Sequence, residues 1–166
     1  MKNLKSKIEF VSNMLILSAF LIVVGFVTEQ TFLGKPILNN GPTIGEKVPL
    51  SSEYFQSTQK SVILVLQTTC SFCNASMPFY KRLVDRSKGK DINYVAVFPE
   101  STEEGSSHLS KYGIIGMIVS QAEIETLRVS GTPTLIITND QGIIEKVWIG
   151  RLSPQQELEV FDGLNL

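Results

Sequence analysis

Cys70 and Cys73 are the only cysteines in the 166 residues, and they sit three positions apart in the stretch TTCSFCNASMP, Thr68–Pro78. Two thiols at this spacing suit thiol–disulfide exchange, in which one thiolate attacks a partner's disulfide and the second resolves the mixed disulfide. Two other uses are weaker. As a staple, a four-residue loop contributes only about 2 kcal/mol in the chain-entropy picture. As a structural zinc site the chain is two ligands short, since the only histidine, His108, is far downstream. Two thiolates can still hold a soft ion such as Cu(I).

The elements around the pair decide which thiol does what. SVILVLQT, Ser61–Thr68, is a nearly continuous apolar run rich in β-branched residues, the pattern of a strand covered on both faces. After Cys73, apolar residues at Phe79, Tyr80, Leu83 and Val84 recur at helical spacing and predict a helix to about Ser87, kinked at Pro78. Cys70 is therefore expected at a strand-to-helix junction, facing the free N–H groups and the positive end of the helix dipole. That placement favours its thiolate and makes Cys70 the attacking thiol; Cys73, one turn on and more buried, is the resolving one.

Downstream, INYVAVF (Ile92–Phe98) predicts a second strand, PESTEEGSS a loop with solvated Glu100, Glu103 and Glu104, HLSKYG a short helix and QAEIETLRV a second main helix. His108, in the polar stretch SSHLSK, reads as solvated and without a chemical role. TLIIT (Thr134–Thr138) and IIEKVWIG (Ile143–Gly150) flank Asn-Asp-Gln-Gly and predict an antiparallel hairpin, followed by a last helix, PQQELEVFDGL, capped by Ser153. The order predicts an α/β chain with a mixed central sheet between helical layers.

Composition bounds the rest. A chain of this length with 43% hydrophobic residues holds one globular domain. A net charge of -1 gives no reason to expect a nucleic-acid partner. Lys2, Lys5 and Lys7 precede the uncharged run Phe10–Thr28, which at ~1.5 Å per residue just crosses a ~30 Å hydrocarbon layer. The run is too long for a secretory signal and lacks a small-x-small cleavage site, so it predicts an uncleaved anchor with the N-terminus inside and the remainder extracytoplasmic. The expected organisation is a basic N-terminus over 1–9, a transmembrane helix over 10–28, a Pro- and Gly-containing linker over 29–44 and the working domain over 45–166.

From about Gly45 to Leu164 the sequence resembles the thioredoxin superfamily, in particular the membrane-tethered redoxin and TlpA-like thiol-disulfide oxidoreductases of bacterial envelopes. The resemblance is carried by the lead-in GPTIGEKVPL, by TTCSFCNASMP, by GTPT at Gly131–Thr134 and by the glycine turn NDQG. It implies a thioredoxin-like fold with Pro133 as a cis-proline beside the dithiol. It also implies backbone around Thr132 that pairs with an extended substrate. Ser71 and Phe72, the uncharged pair between the cysteines, are candidate substrate contacts by position. The sequence leaves Phe72 open between partner contact and filler against the sheet.

Most such relatives act as reductants, fed by a membrane thiol reductase and acting on protein disulfides, for example during cytochrome c maturation. Neither a cofactor nor a metal is implied, and the N-terminal helix would be held by the lipid of the bacterial inner membrane with the domain in the periplasm. Three positions depart from relatives: Thr69 replaces a frequent Trp, Leu64 replaces the buried acid of thioredoxins, and Ser76 replaces a glutamate common in TlpA-like proteins. Proton transfer at Cys73 is then expected to pass through water.

Two alternative activities share the fold. A thiol peroxidase would want Thr where Gln67 stands, and an arginine beside the thiolate that the sequence cannot choose among Arg82, Arg86, Arg128 and Arg151. A copper-binding module of this fold uses CxxxC and a distant histidine, for which His108 is the sole candidate.

Overall fold

A computed structural model describes residues 13–18, 20, 41–55 and 58–166. The chain divides into two units, 1–39 and 40–166. In the first, residues 13–18 and 20 are helical, with the side chains of Met14, Leu15, Ile16, Leu17 and Phe20 exposed. Among the described residues no helix is long and apolar enough to cross a membrane. Most of the expected span Phe10–Thr28, and residues 29–40 of the expected linker, lie outside them.

The second unit is built on a five-stranded sheet. β1 (Lys60–Val65) is the apolar run read as a doubly covered strand, and it lies at the centre with the order β3-β2-β1-β4-β5. β2 (Ile92–Phe98) pairs with it in parallel, and β3 (Ile118–Gln121) pairs in parallel with β2. On the other side β4 (Thr134–Asn139) runs antiparallel to β1, and β5 (Ile144–Ile149) antiparallel to β4. Alternation along β1 sends Val62 and Leu64 to one face and Ile63 and Val65 to the other, and every one of these side chains is fully buried.

Three α-helices follow the strands: α1 (Ser71–Arg86), α2 (Thr102–Lys111) and α3 (Pro154–Gly163). α1 remains one helix through Pro78, which lies on its exposed side, and buries Cys73, Met77, Tyr80 and Leu83 along one stripe. α3 begins at the expected cap: the Ser153 hydroxyl accepts from the Gln156 N–H while the Gln156 side chain accepts from the Ser153 N–H.

Three expectations are corrected. The loop PESTEEGSS is mostly helix, since α2 starts at Thr102 behind a capping box of Ser101 and Glu104. The box stands in the sequence as Ser-x-x-Glu, but Gly105 and three serines dilute the helical pattern behind it. QAEIETLRV is not a main helix: Gln121 ends β3, Ile124–Leu127 forms one 3-10 turn, and Arg128 then takes the left-handed conformation. In consequence, among the described residues of this unit, α-helices pack on one face of the sheet. α1, α2 and α3 contribute to the core cluster with Val62, Leu64 and Leu135, whereas Ile63, Val65, Val95 and Ile136 are covered by Leu127 of the 3-10 turn and by Val48, Phe55 and Val129 from irregular segments.

Candidate active site

β1 ends on the central line of the sheet, so the residues after it emerge between β2 and β4 and meet the start of α1. Leu66 still bonds to β2, its N–H donating to the Val97 carbonyl at 2.9 Å, and Gln67 to Cys70 then turn outward. Cys70 is the N-cap of α1: its backbone is extended (φ -77°, ψ 117°) and its Sγ accepts the Cys73 N–H at 3.1 Å. Both cysteines are free thiols; Cys70 is half-buried and Cys73 is completely buried.

The neighbouring loop comes from the far side of the sheet. The Thr132–Pro133 peptide is cis, and the Cys70 thiol donates to the Thr132 carbonyl at 3.5 Å. The loop is held from three directions. The Thr132 hydroxyl donates to the Gln67 side chain at 3.0 Å, the Thr134 hydroxyl to the Gly131 carbonyl at 2.7 Å, and the Gly150 N–H to the Pro133 carbonyl at 2.7 Å. Residues 62 positions apart in sequence thus meet at one sulfur.

The two thiols have opposite electrostatics. Burial pushes the Cys70 thiol up, but hydrogen bonds reaching its sulfur from Cys73, Thr132 and the Phe72 N–H outweigh it, and the net effect is a lowered pKa. Burial, followed by the hydrogen bond to Cys70, pushes the Cys73 thiol up to about 12. The thiolate form is favoured at Cys70 and disfavoured at Cys73 behind it.

The remaining site residues divide. Ser71 and Phe72 project from the first turn of α1 into solvent, Phe72 at 62% exposure, so its ring does not fill space against the sheet. Ser76 is buried and its hydroxyl donates back to the Phe72 carbonyl at 2.8 Å. Leu64 is part of the core with no polar atom to offer. Among the described residues no three metal-ligating side chains cluster.

Glu100 was not expected here. Its carboxylate accepts both the N–H (2.9 Å) and the hydroxyl (2.6 Å) of Thr68, pinning the turn that delivers Cys70. Burial raises the Glu100 carboxyl, but these two hydrogen bonds outweigh it and hold its pKa down, so the clamp is in its charged form at neutral pH. Nothing in a run of three glutamates singles out the one that folds inward.

His108 is also corrected. It lies on α2, 8% exposed, edge-on to Phe98 and Tyr112, with Nε2 buried and without a hydrogen-bond partner among the described residues. Burial, then the nearby Lys111, lowers its pKa, against a smaller upward pull from Glu100. The folded chain therefore binds this proton less well than the unfolded chain, and stability is expected to fall as pH drops below about 6.5. Urea midpoints measured from pH 7.5 down to 5 should show this loss, and His108→Phe should flatten it. An equal slope in both proteins would contradict the assignment.

No protein-family model matches the sequence, and no curated protein matches it. Solved structures do. A Chlorobium tepidum protein assigned as thiol:disulfide interchange protein DsbE superimposes with a TM-score of 0.60 at 18% identity, over 72% of this chain and 94% of that one. The chain has the thioredoxin fold. The thioredoxin domain of a thiol-disulfide oxidoreductase from Bacteroides vulgatus gives a TM-score of 0.58 at 14% identity, covering 73% of this chain and 96% of that one. A thiol-disulfide isomerase from Corynebacterium glutamicum gives 0.55 at 18%, covering 76% and 97%. At these identities the likeness establishes the thioredoxin fold, and the chemistry has to be argued from the site.

Proposed function

We propose that the protein is a thiol-disulfide oxidoreductase acting on protein disulfides through Cys70 and Cys73. The observation that carries this is the pairing of an accessible sulfur of lowered pKa with a buried thiol at about 12, one helical turn apart and beside the Thr132–Pro133 loop. In the reducing direction, the Cys70 thiolate attacks one sulfur of the substrate disulfide; that S–S bond breaks and the leaving thiolate takes a proton from water. Cys73 then attacks Cys70 Sγ, gives up its proton, closes the Cys70–Cys73 disulfide and releases the second substrate thiol. Two electrons have passed to the substrate.

The second step is timed by the first. Two of the influences that hold the Cys73 thiol up are its hydrogen bond to Cys70 and the charge on Cys70. Both disappear once Cys70 is tied into the mixed disulfide, leaving burial alone to overcome. Thr132, Pro133, Ser71 and Phe72 form the substrate contact: the loop offers backbone to an extended chain and Phe72 an exposed ring.

The location and direction belong to the same reading. Lys2, Lys5 and Lys7 before an uncharged run, with the apolar side chains of residues 14–17 exposed on a helix, support an anchor that holds the domain on the extracytoplasmic side of a bacterial membrane. The resemblance to tethered redoxins supports a reductant, recharged by a membrane thiol reductase. The test is turnover. The full chain in detergent should accelerate the reduction of insulin disulfides by dithiothreitol, and no acceleration over dithiothreitol alone would overturn the proposal.

A further inference from the structure

One turn beyond Cys73, α1 borders a groove of about 250 Å³ lined by Ser76, Phe79, Arg82, Arg151, Leu152 and Glu157. Two hydrogen bonds tie its lining to the segments around the dithiol. The Ser76 hydroxyl is bonded to the carbonyl of Phe72, between the two cysteines. Arg151 directly follows Gly150, whose N–H is bonded to the carbonyl of Pro133. A chain lying along the Thr132–Pro133 loop with its disulfide over Cys70 therefore has neighbouring residues, at ~3.3 Å per position, within a side chain's reach of the groove.

The groove carries an unbalanced charge. Arg82 is ion-paired with Glu157. Arg151 is exposed and has no carboxylate partner among the described residues. Two guanidinium groups face one carboxylate, and the spare one presents a planar fork of donors suited to a second carboxylate. From this we infer that the groove selects substrates, and that its ligand is the side chain of an Asp or Glu within a few residues of the substrate's reactive cysteine. Arg151 is the specificity-determining residue. The inference rests on the disulfide-exchange reading and names the substrate class for it: polypeptide disulfides in an acidic context.

The test compares two cyclic peptide disulfides that are identical except for Glu or Lys two positions from a cysteine, with hydroxyethyl disulfide as an uncharged reference. Reduced full-length protein in detergent is expected to reduce the Glu peptide about tenfold faster than the Lys peptide. Arg151→Glu is expected to invert that ratio, and because a ratio is read, partial loss of folded protein does not obscure it. Equal rates for the two peptides, or an unchanged ratio in Arg151→Glu, would overturn the groove assignment while reduction of hydroxyethyl disulfide leaves the exchange reading standing. A preference that persists in Arg151→Glu and vanishes in Arg82→Gln would place the selection on Arg82 and overturn the assignment of Arg151 as the specificity-determining residue. Failure to reduce any of the three disulfides would instead remove the exchange reading itself.

Discussion

Cys70→Ser is expected to lower the turnover of protein disulfides by roughly a thousandfold or more, to the level of dithiothreitol alone, because a serine hydroxyl neither ionises near neutral pH nor exchanges with disulfides. Nothing else in the site can take over: Cys73, the other thiol, is fully buried and held at about 12. Cys73→Ser is expected to fail differently. Cys70 still attacks, the mixed disulfide has no resolving thiol, and substrate should accumulate covalently on the protein. Non-reducing gels after incubation with oxidised substrate read the difference. Substrate bound to Cys70→Ser, or full turnover by it, would reverse the assigned roles.

The second large effect concerns a residue far from the sulfur. Gly142 closes the β4–β5 turn with φ +77°, and a Cβ built on it would lie 2.8 Å from two carbons of the Phe55 ring. Both costs apply to Gly142→Ala. The left-handed backbone costs an L-residue about 1–2 kcal/mol, and overpacking against a buried ring adds roughly 1–3 kcal/mol. Phe55 is 1% exposed and cannot swing aside, and the Gly142 carbonyl also accepts from the Val48 N–H at 3.0 Å, which pins the turn to the segment that covers this face of the sheet. A destabilisation of about 2–5 kcal/mol is expected in urea unfolding. Gly45→Ala separates the two costs, since Gly45 has φ +90° but open space where its Cβ would go. It should lose only the backbone part. Phe55→Leu in the Gly142→Ala background should recover part of the packing loss; no recovery would mean the ring is not the obstacle.

How much of this was legible follows from what sets each element. β1, β2 and the β4–β5 hairpin were readable because burial on both faces and a four-residue turn leave signatures within a few residues. The start of α1 and the cap of α3 were readable because Cys70 and Ser153 act on their own neighbours. The assignment of α2, the short β3 and the single 3-10 turn was not. There the local pattern is weak: β3 is defined by its pairing with β2, and Ile124–Leu127 by Arg128 turning left-handed after one turn. Glu100, His108 and Arg151 were invisible as site or core residues for a related reason. Glu100 owes its role to a partner 32 positions away, His108 to the packing of its helix face against Phe98, and Arg151 to a cavity, and residue type alone marks all three as ordinary surface polar groups. The dithiol was the reverse case, since two unlike thiols one turn apart need only a helix start between them.

The most direct test is to equilibrate the full chain in glutathione or dithiothreitol buffers of graded potential and count free thiols by alkylation and mass. The account predicts one two-electron transition in which Cys70 and Cys73 change state together, and a reductant should have its midpoint near that of thioredoxin, about -270 mV. Two cysteines that titrate independently, or that stay reduced across the whole range, would contradict the claim that they form one redox centre.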